Sequence, residues 1–195
     1  MTLTGGVRLA AVVYESGFKI DDFLTRLANR LRADQVKLAG VLQENTGDVA
    51  GICSAMTLVD VTTRSRFRIS QDLGPQAKGC RLDARGIAEI GPLLERTFDQ
   101  DADLIILNRF GKAEAEGGGL RSAFARAMEA GIPTVTAVRA DYVEAWSHFH
   151  GRLAVDLPAD LDAALAWCRE SVRQSRATRR SELSPVGDTQ GLRHG

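Results

Sequence analysis

Along most of this chain, short apolar runs of strand length alternate with longer stretches of helical periodicity. Residues 7–14 (VRLAAVVY) form a buried-strand pattern rich in β-branched side chains, and residues 15–20 follow as a loop. Phe23, Leu24, Leu27, Ala28 and Leu31 then recur at helical spacing, with Asp21 or Asp22 placed to cap the helix. Residues 36–42 (VKLAGVL) read as the next strand and close a β-α-β unit, with 43–47 turn-like behind them.

The middle of the chain changes texture. Residues 54–61 alternate imperfectly and predict a strand, 62–65 a turn, and 67–70 a returning strand, so an antiparallel excursion is expected at one sheet edge. Residues 71–82 are long and irregular, the kind of loop that inside a compact domain is commonly functional. Asp83 opens a predicted helix with Ile87, Ile90, Leu93, Leu94 and Phe98 on one face and a kink at Gly91-Pro92. A strand ending near Leu107, a glycine loop at 117–119 and a helix with Leu120, Phe124, Ala127 and Met128 inward come next. Gly131 stops that helix; a strand at 134–138, a short helix at 142–149 and a last strand at 153–155 follow. Leu161, Ala164, Leu165 and Cys168 mark the final helix. From about Ser175 the chain is polar and Arg-rich. The expectation is one mostly parallel α/β domain over 1–174 and a flexible polar tail over 175–195.

Composition narrows the function classes. Lys plus Arg is 25 and Asp plus Glu is 25, so no global charge steers the chain toward nucleic acid or an anionic membrane. There is no apolar run of about 18 residues, and residues 1–6 lack the charged and apolar regions of a signal peptide. A cytoplasmic protein is expected, without a membrane or nucleic-acid partner. Cys53, Cys80 and Cys168 are too few and too scattered for a disulfide framework, and no C-x-x-C is present. His148 and His150 stand two apart, on different sides of a helix, so no metal site is expected there.

Three clusters can carry chemistry. In Leu104-Ile105-Ile106-Leu107-Asn108-Arg109-Phe110-Gly111-Lys112, a buried apolar run ends abruptly in polar and cationic groups. That is how a parallel strand presents side chains at the ligand-binding rim of an open α/β sheet. A nucleotide hydrolase would place a carboxylate there for magnesium; Asn108, Arg109 and Lys112 suit an oxyanion instead, the cations by charge-assisted hydrogen bonds. The competing reading pairs these cations with Glu114 and Glu116. The second cluster is the turn after the first strand. Ser16, Gly17 and Lys19 are the residue types of an anion loop, but Asp21 and Asp22 in the next turn repel a triphosphate. The third is the long loop, with Gln71, Lys78, Cys80 and Arg81; Arg81 is expected to reach the rim that Arg109 reaches, and Cys80 to be a packing residue. Trp146 and Phe149 are read as packing residues too.

Residues 69–83, from Ile69-Ser70-Gln71-Asp72-Leu73-Gly74 to Gly79-Cys80-Arg81-Leu82-Asp83, and Asn108-Arg109-Phe110-Gly111-Lys112-Ala113-Glu114 resemble the signatures of an uncharacterised bacterial family, domain of unknown function 2478. That family is often encoded beside molybdate transport genes, and the resemblance spans about residues 9–157. The order of elements also resembles the thermostable nucleoside-triphosphatase family of phosphate-loop proteins, which implies a three-layer P-loop-NTPase-like fold. In that family a strand ends in an Asp-Glu pair, where this chain has Asn108-Arg109; its phosphate loop corresponds to residues 14–22, where its Lys-Thr pair is missing. Phosphoryl transfer depends on those groups. The resemblance therefore implies a non-hydrolytic relative that binds molybdate, tungstate or a nucleotide and serves molybdenum handling. Two rivals stand beside it: an active nucleoside triphosphatase that recruits Asp60, Asp72 or Glu114 for magnesium, and an accessory subunit that binds a partner protein through its Arg-rich C-terminal helix. Self-association is left open.

Overall fold

The computed structural model describes residues 8–46, 55–70, 90–91, 94 and 101–183. Among them a seven-stranded sheet runs through the molecule in the order β4-β3-β2-β5-β6-β1-β7. The strands are β1 (Leu9–Tyr14), β2 (Leu38–Thr46), β3 (Ala55–Asp60), β4 (Arg66–Arg68), β5 (Leu104–Leu107), β6 (Thr134–Arg139) and β7 (Ala154–Pro158). Strands β2, β5, β6, β1 and β7 are mutually parallel, and β3 and β4 add two antiparallel pairings at one edge, β2 with β3 and β3 with β4. This is the expected α/β sheet with an antiparallel hairpin excursion. Helices α1 (Ile20–Ala33), α2 (Lys112–Ala115), α3 (Arg121–Glu129), α4 (Val143–His150) and α5 (Leu161–Leu183) complete the described elements, with a 3-10 turn at Ala140–Tyr142 leading into α4.

Strand alternation builds two apolar layers. Ala10, Val12 and Tyr14 of β1 face α1 and α5, where Leu24, Leu27, Leu31, Leu165 and Cys168 are buried. Leu9 and Ala11 face the other way, toward α3 and α4. Ile90 and Leu94, both helical and fully buried, pack in that second layer. Its centre is a knot of rings: Phe110 lies 5.2 Å from Trp146 and 6.1 Å from Phe124, edge to face. Trp146 has no exposed surface, so the packing reading of that residue holds. Layers on both faces are what a parallel sheet requires.

Strand β2 carries a glycine where it pairs with β5. Gly40 faces Ile106 in register, at φ +112°, and a Cβ there would sit 2.0 Å from the Ile106 carbonyl oxygen. The position tolerates no side chain.

Several boundaries move. No side chain caps α1: Lys19 stands at its N-terminal boundary, and Asp21 and Asp22 lie in the first turn, where they complement the helix dipole. The last helix does not fray at Ser175 but continues to Leu183. Arginines that look solvated in sequence hold it down. Arg176 and Arg179 reach the carboxylate of Asp103 at 2.5 and 2.9 Å, and Arg169 reaches Asp34 at 2.7 Å. The boundary at 174/175 therefore falls inside α5. The predicted helix from Asp83, apart from Ile90, Gly91 and Leu94, lies outside the described residues, as do Gln71, Lys78, Cys80, Arg81 and the chain beyond Leu183.

Candidate functional site

Because β1, β5 and β6 are parallel, their carboxyl ends share one rim. Tyr14 pairs in register with Arg139, and Phe110, just past β5, bridges to Val138. The β1–α1 turn, Arg109 and Arg139 thus open onto one cleft of about 430 Å³. Ser16, Gly17 and Lys19 line it from the turn, and Arg109 and Arg139 from the strands. The first strand's loop and Arg109 thus meet at one cleft. Gly17 adopts φ +87°, which accounts for glycine at the turn; open space surrounds the place its Cβ would take.

The cleft is electrostatically balanced. Arg109 Nη2 lies 3.1 and 3.2 Å from the two carboxylate oxygens of Asp21, with both side chains partly shielded from water. Arg139 pairs with Asp141 at 2.8 Å, and its guanidinium carbon lies 5.4 Å from the centre of the Tyr142 ring. Asp22 also lines the cleft. The Arg139 Nε is buried and finds no hydrogen-bond partner among the described residues. Neither guanidinium pairs with Glu114 or Glu116.

Of the other predicted residues, Asn108 and Lys112 line a smaller cavity, about 260 Å³, that Arg109 and Arg139 also line. Asn108 is buried, and its Oδ1 accepts the Gln43 N–H at 3.0 Å while its Nδ2 faces Gln43 Oε1 at 3.4 Å. That side chain ties the end of β5 to β2. Lys112 is largely exposed, 3.7 Å from Glu116 one turn along; of the two glutamates offered to the rim cations, Glu116 alone has one. Glu114 is buried and accepts the Gly111 and Leu120 N–H groups, each at 2.9 Å. Asp60 is equally committed: one oxygen accepts the Thr62 and Thr63 N–H groups at 2.7 Å in the β3–β4 turn. Of the three carboxylates that a divergent hydrolase could recruit, two are occupied by backbone, and Asp72 lies outside the described residues. Among the described residues no group of three or more His, Cys, Asp or Glu side chains is arranged to hold a metal ion. His150 is buried, its Nδ1 accepting the Ala154 N–H at 3.2 Å, and burial holds its pKa below the usual imidazole value despite the opposing charge of Asp156.

Arg139 is the residue the sequence reading missed. Its signal was the one that exposed Arg109, an apolar β-branched run broken by a cation. The strand continues one residue past Val138, to Arg139.

Similarity to known proteins agrees with this architecture. Over 172 residues, 88% of its length, the chain is 35% identical to the molybdenum import ATP-binding protein ModC 2 of Bradyrhizobium diazoefficiens, and it spans 19% of that protein's length. Its fold matches the solution structure of a human cancer-related nucleoside triphosphatase, with TM-score 0.55 and 12% identity over 87% of this chain and 99% of that one. It also matches the crystal structure of THEP1 from the hyperthermophile Aquifex aeolicus, with TM-score 0.59 and 13% identity over 83% and 95% of the two chains. At such identity the likeness is one of fold. Residues 9–167 match the family described as "Protein of unknown function (DUF2478)", and the chain belongs to that family.

Proposed function

We propose that this protein binds an oxyanion, free or carried on a larger molecule, at the β1–α1 cleft, and that it does so without hydrolysing a nucleotide. The observation that carries the reading is the meeting of Lys19, Arg109 and Arg139 with the Gly17 turn on one cleft. Two guanidinium groups and an ammonium supply directional, charge-assisted donors to an oxyanion. The end of β5 supplies Asn108, turned toward Gln43, where a hydrolase needs a metal-holding carboxylate. The aspartates limit what fits. With Asp21, Asp22 and Asp141 beside the three cations, an anion of one or two charges is favoured over a triphosphate. The biological setting is molybdenum handling, because a similar stretch forms part of a protein named for molybdenum import. The ligand is a small anionic species such as molybdate or tungstate, or a nucleotide.

Thermal melting with molybdate, tungstate, sulfate, ATP and GTP tests this. A ligand at about 100 times its Kd adds about 2.7 kcal/mol of stability, a shift of several degrees. The expected result is a shift with at least one oxyanion, lost in Arg139→Ala and reduced in Lys19→Ala. Absence of any shift across the panel overturns the binding reading, and magnesium-dependent phosphate release from ATP or GTP overturns the non-hydrolytic one.

A further inference from the structure

We infer that the loop cleft and the smaller cavity beside it form one two-part site, whose ligand is an oxyanion ester with a charged head over Lys19 and Arg139 and a compact, carbon-rich group behind Arg109. This rests on the oxyanion reading above and adds the class of ligand. The two cavities are neighbours with shared walls: Tyr14, Arg109 and Arg139 line both. Their walls differ in chemistry. The cleft is lined by the exposed polar turn. The smaller cavity is walled by Leu58, Ile69, Phe110 and Leu120, all buried hydrophobic residues.

The second cavity shares Arg109 and Arg139 with the cleft and adds Lys112, which is largely exposed beside Glu116. Asn108 is bonded to Gln43, and the Glu114 carboxylate is occupied by two backbone N–H groups. A bare tetrahedral anion in the cleft leaves the apolar walls without a partner, whereas an ester covers them and gains from removing them from water. Arg139 stands at the junction. It lines both cavities, and its guanidinium carbon lies 5.4 Å from the centre of the Tyr142 ring. A monoester also carries no more charge than the balanced cleft accepts.

Calorimetric titration separates the alternatives, with inorganic phosphate, tungstate, adenosine, and three monoesters: AMP, CMP and phenyl phosphate. The expected result is at least one monoester binding tenfold or more tightly than inorganic phosphate, with adenosine far weaker than AMP. Ala113→Phe, which places a ring against the second cavity, should narrow that ratio to about threefold or less; Ala113→Leu serves if the larger side chain melts the fold. Arg139→Ala should weaken monoesters and inorganic anions together. If phosphate or tungstate binds but no monoester exceeds it by threefold, the two-part site is wrong and the oxyanion reading survives. If no anion binds, both fall.

Discussion

Two carboxylates near the rim do opposite work. Glu114 points into the protein and closes the α2–α3 loop around itself; a Cβ on Gly119, at φ +61°, would sit 2.0 Å from its Oε1. Replacing Glu114 by Ala leaves two N–H groups without an acceptor, one of them on buried Leu120. The expected cost is about 3 kcal/mol, read from urea unfolding, with Glu114→Gln in between because it retains one acceptor. Lost function in Glu114→Ala must therefore be read against folding before a metal role is considered. Asp21 points the other way and holds Arg109. Asp21→Asn should change stability by about 1 kcal/mol or less, since the pair is partly exposed. The same variant should tighten oxyanion binding by about fivefold, on the order of 1 kcal/mol, because Arg109 no longer has an internal anion; an unchanged or weakened Kd would show that Arg109 is not used. The sequence carried the residue types of this rim, since Asn108 and Arg109 break an apolar run. It did not carry their partners. Asp21 and Arg109 are 88 residues apart, and only the strand order brings them together.

At the scale of elements, periodicity was informative wherever burial on one face is strict. Helix α1 shows its buried Leu24, Leu27 and Leu31 at helical spacing, and β1 and β5 are continuous apolar runs because both faces are covered. Four-residue α2 has too few residues to show a period in the sequence. The last helix failed for an electrostatic reason. Its arginines answer Asp34 and Asp103, acids on other elements that a local window cannot see. Asp103 is 5% exposed and also accepts the Lys37 N–H at 3.0 Å. Burial pushes its carboxyl up, but the Arg176 and Lys37 hydrogen bonds and the guanidinium charges of Arg176 and Arg179 outweigh that and hold it below the usual carboxylate value. A depressed folded-state pKa means stability that is complete above the unfolded value, about 4, and lost as pH falls through the folded one. The stability advantage of the native protein over Asp103→Asn should thus be full at pH 6 and shrink below about pH 4, measured by denaturant midpoints across pH. Truncation after Gln174 removes both Arg176 and Arg179 and should cost about 2 kcal/mol, between the values for exposed and buried pairs. A partner-binding test based on that truncation would be confounded by this loss.

Over the whole molecule, the open issue is whether α5 belongs to the same cooperative unit as the sheet. Its first half covers β1 and β7 through Ala164, Leu165, Cys168 and Val172, which are buried in the layer that α1 completes. Its second half is held mainly by ion pairs to Asp103 and by a hydrogen bond from Arg179 to the Ala102 carbonyl. Cys168 lies in the first half, so it reports on the part of α5 that packs against the sheet. Burial pushes its thiol up to about 12, so in the native state it supplies almost no thiolate at pH 8. Alkylation must then wait for an opening that exposes it. If the molecule unfolds as one unit, labelling of the Cys168 peptide in water should be about a thousandfold or more slower than in strong urea, and should rise along the far-ultraviolet transition. Mass spectrometry of that peptide gives the rate. Labelling that rises at low urea, while the far-ultraviolet signal of the sheet is intact, would mean that α5 peels away first. In that case the working unit is the sheet with α1 to α4, and the cleft at the carboxyl end of β1 should still bind its anion in the half-open state.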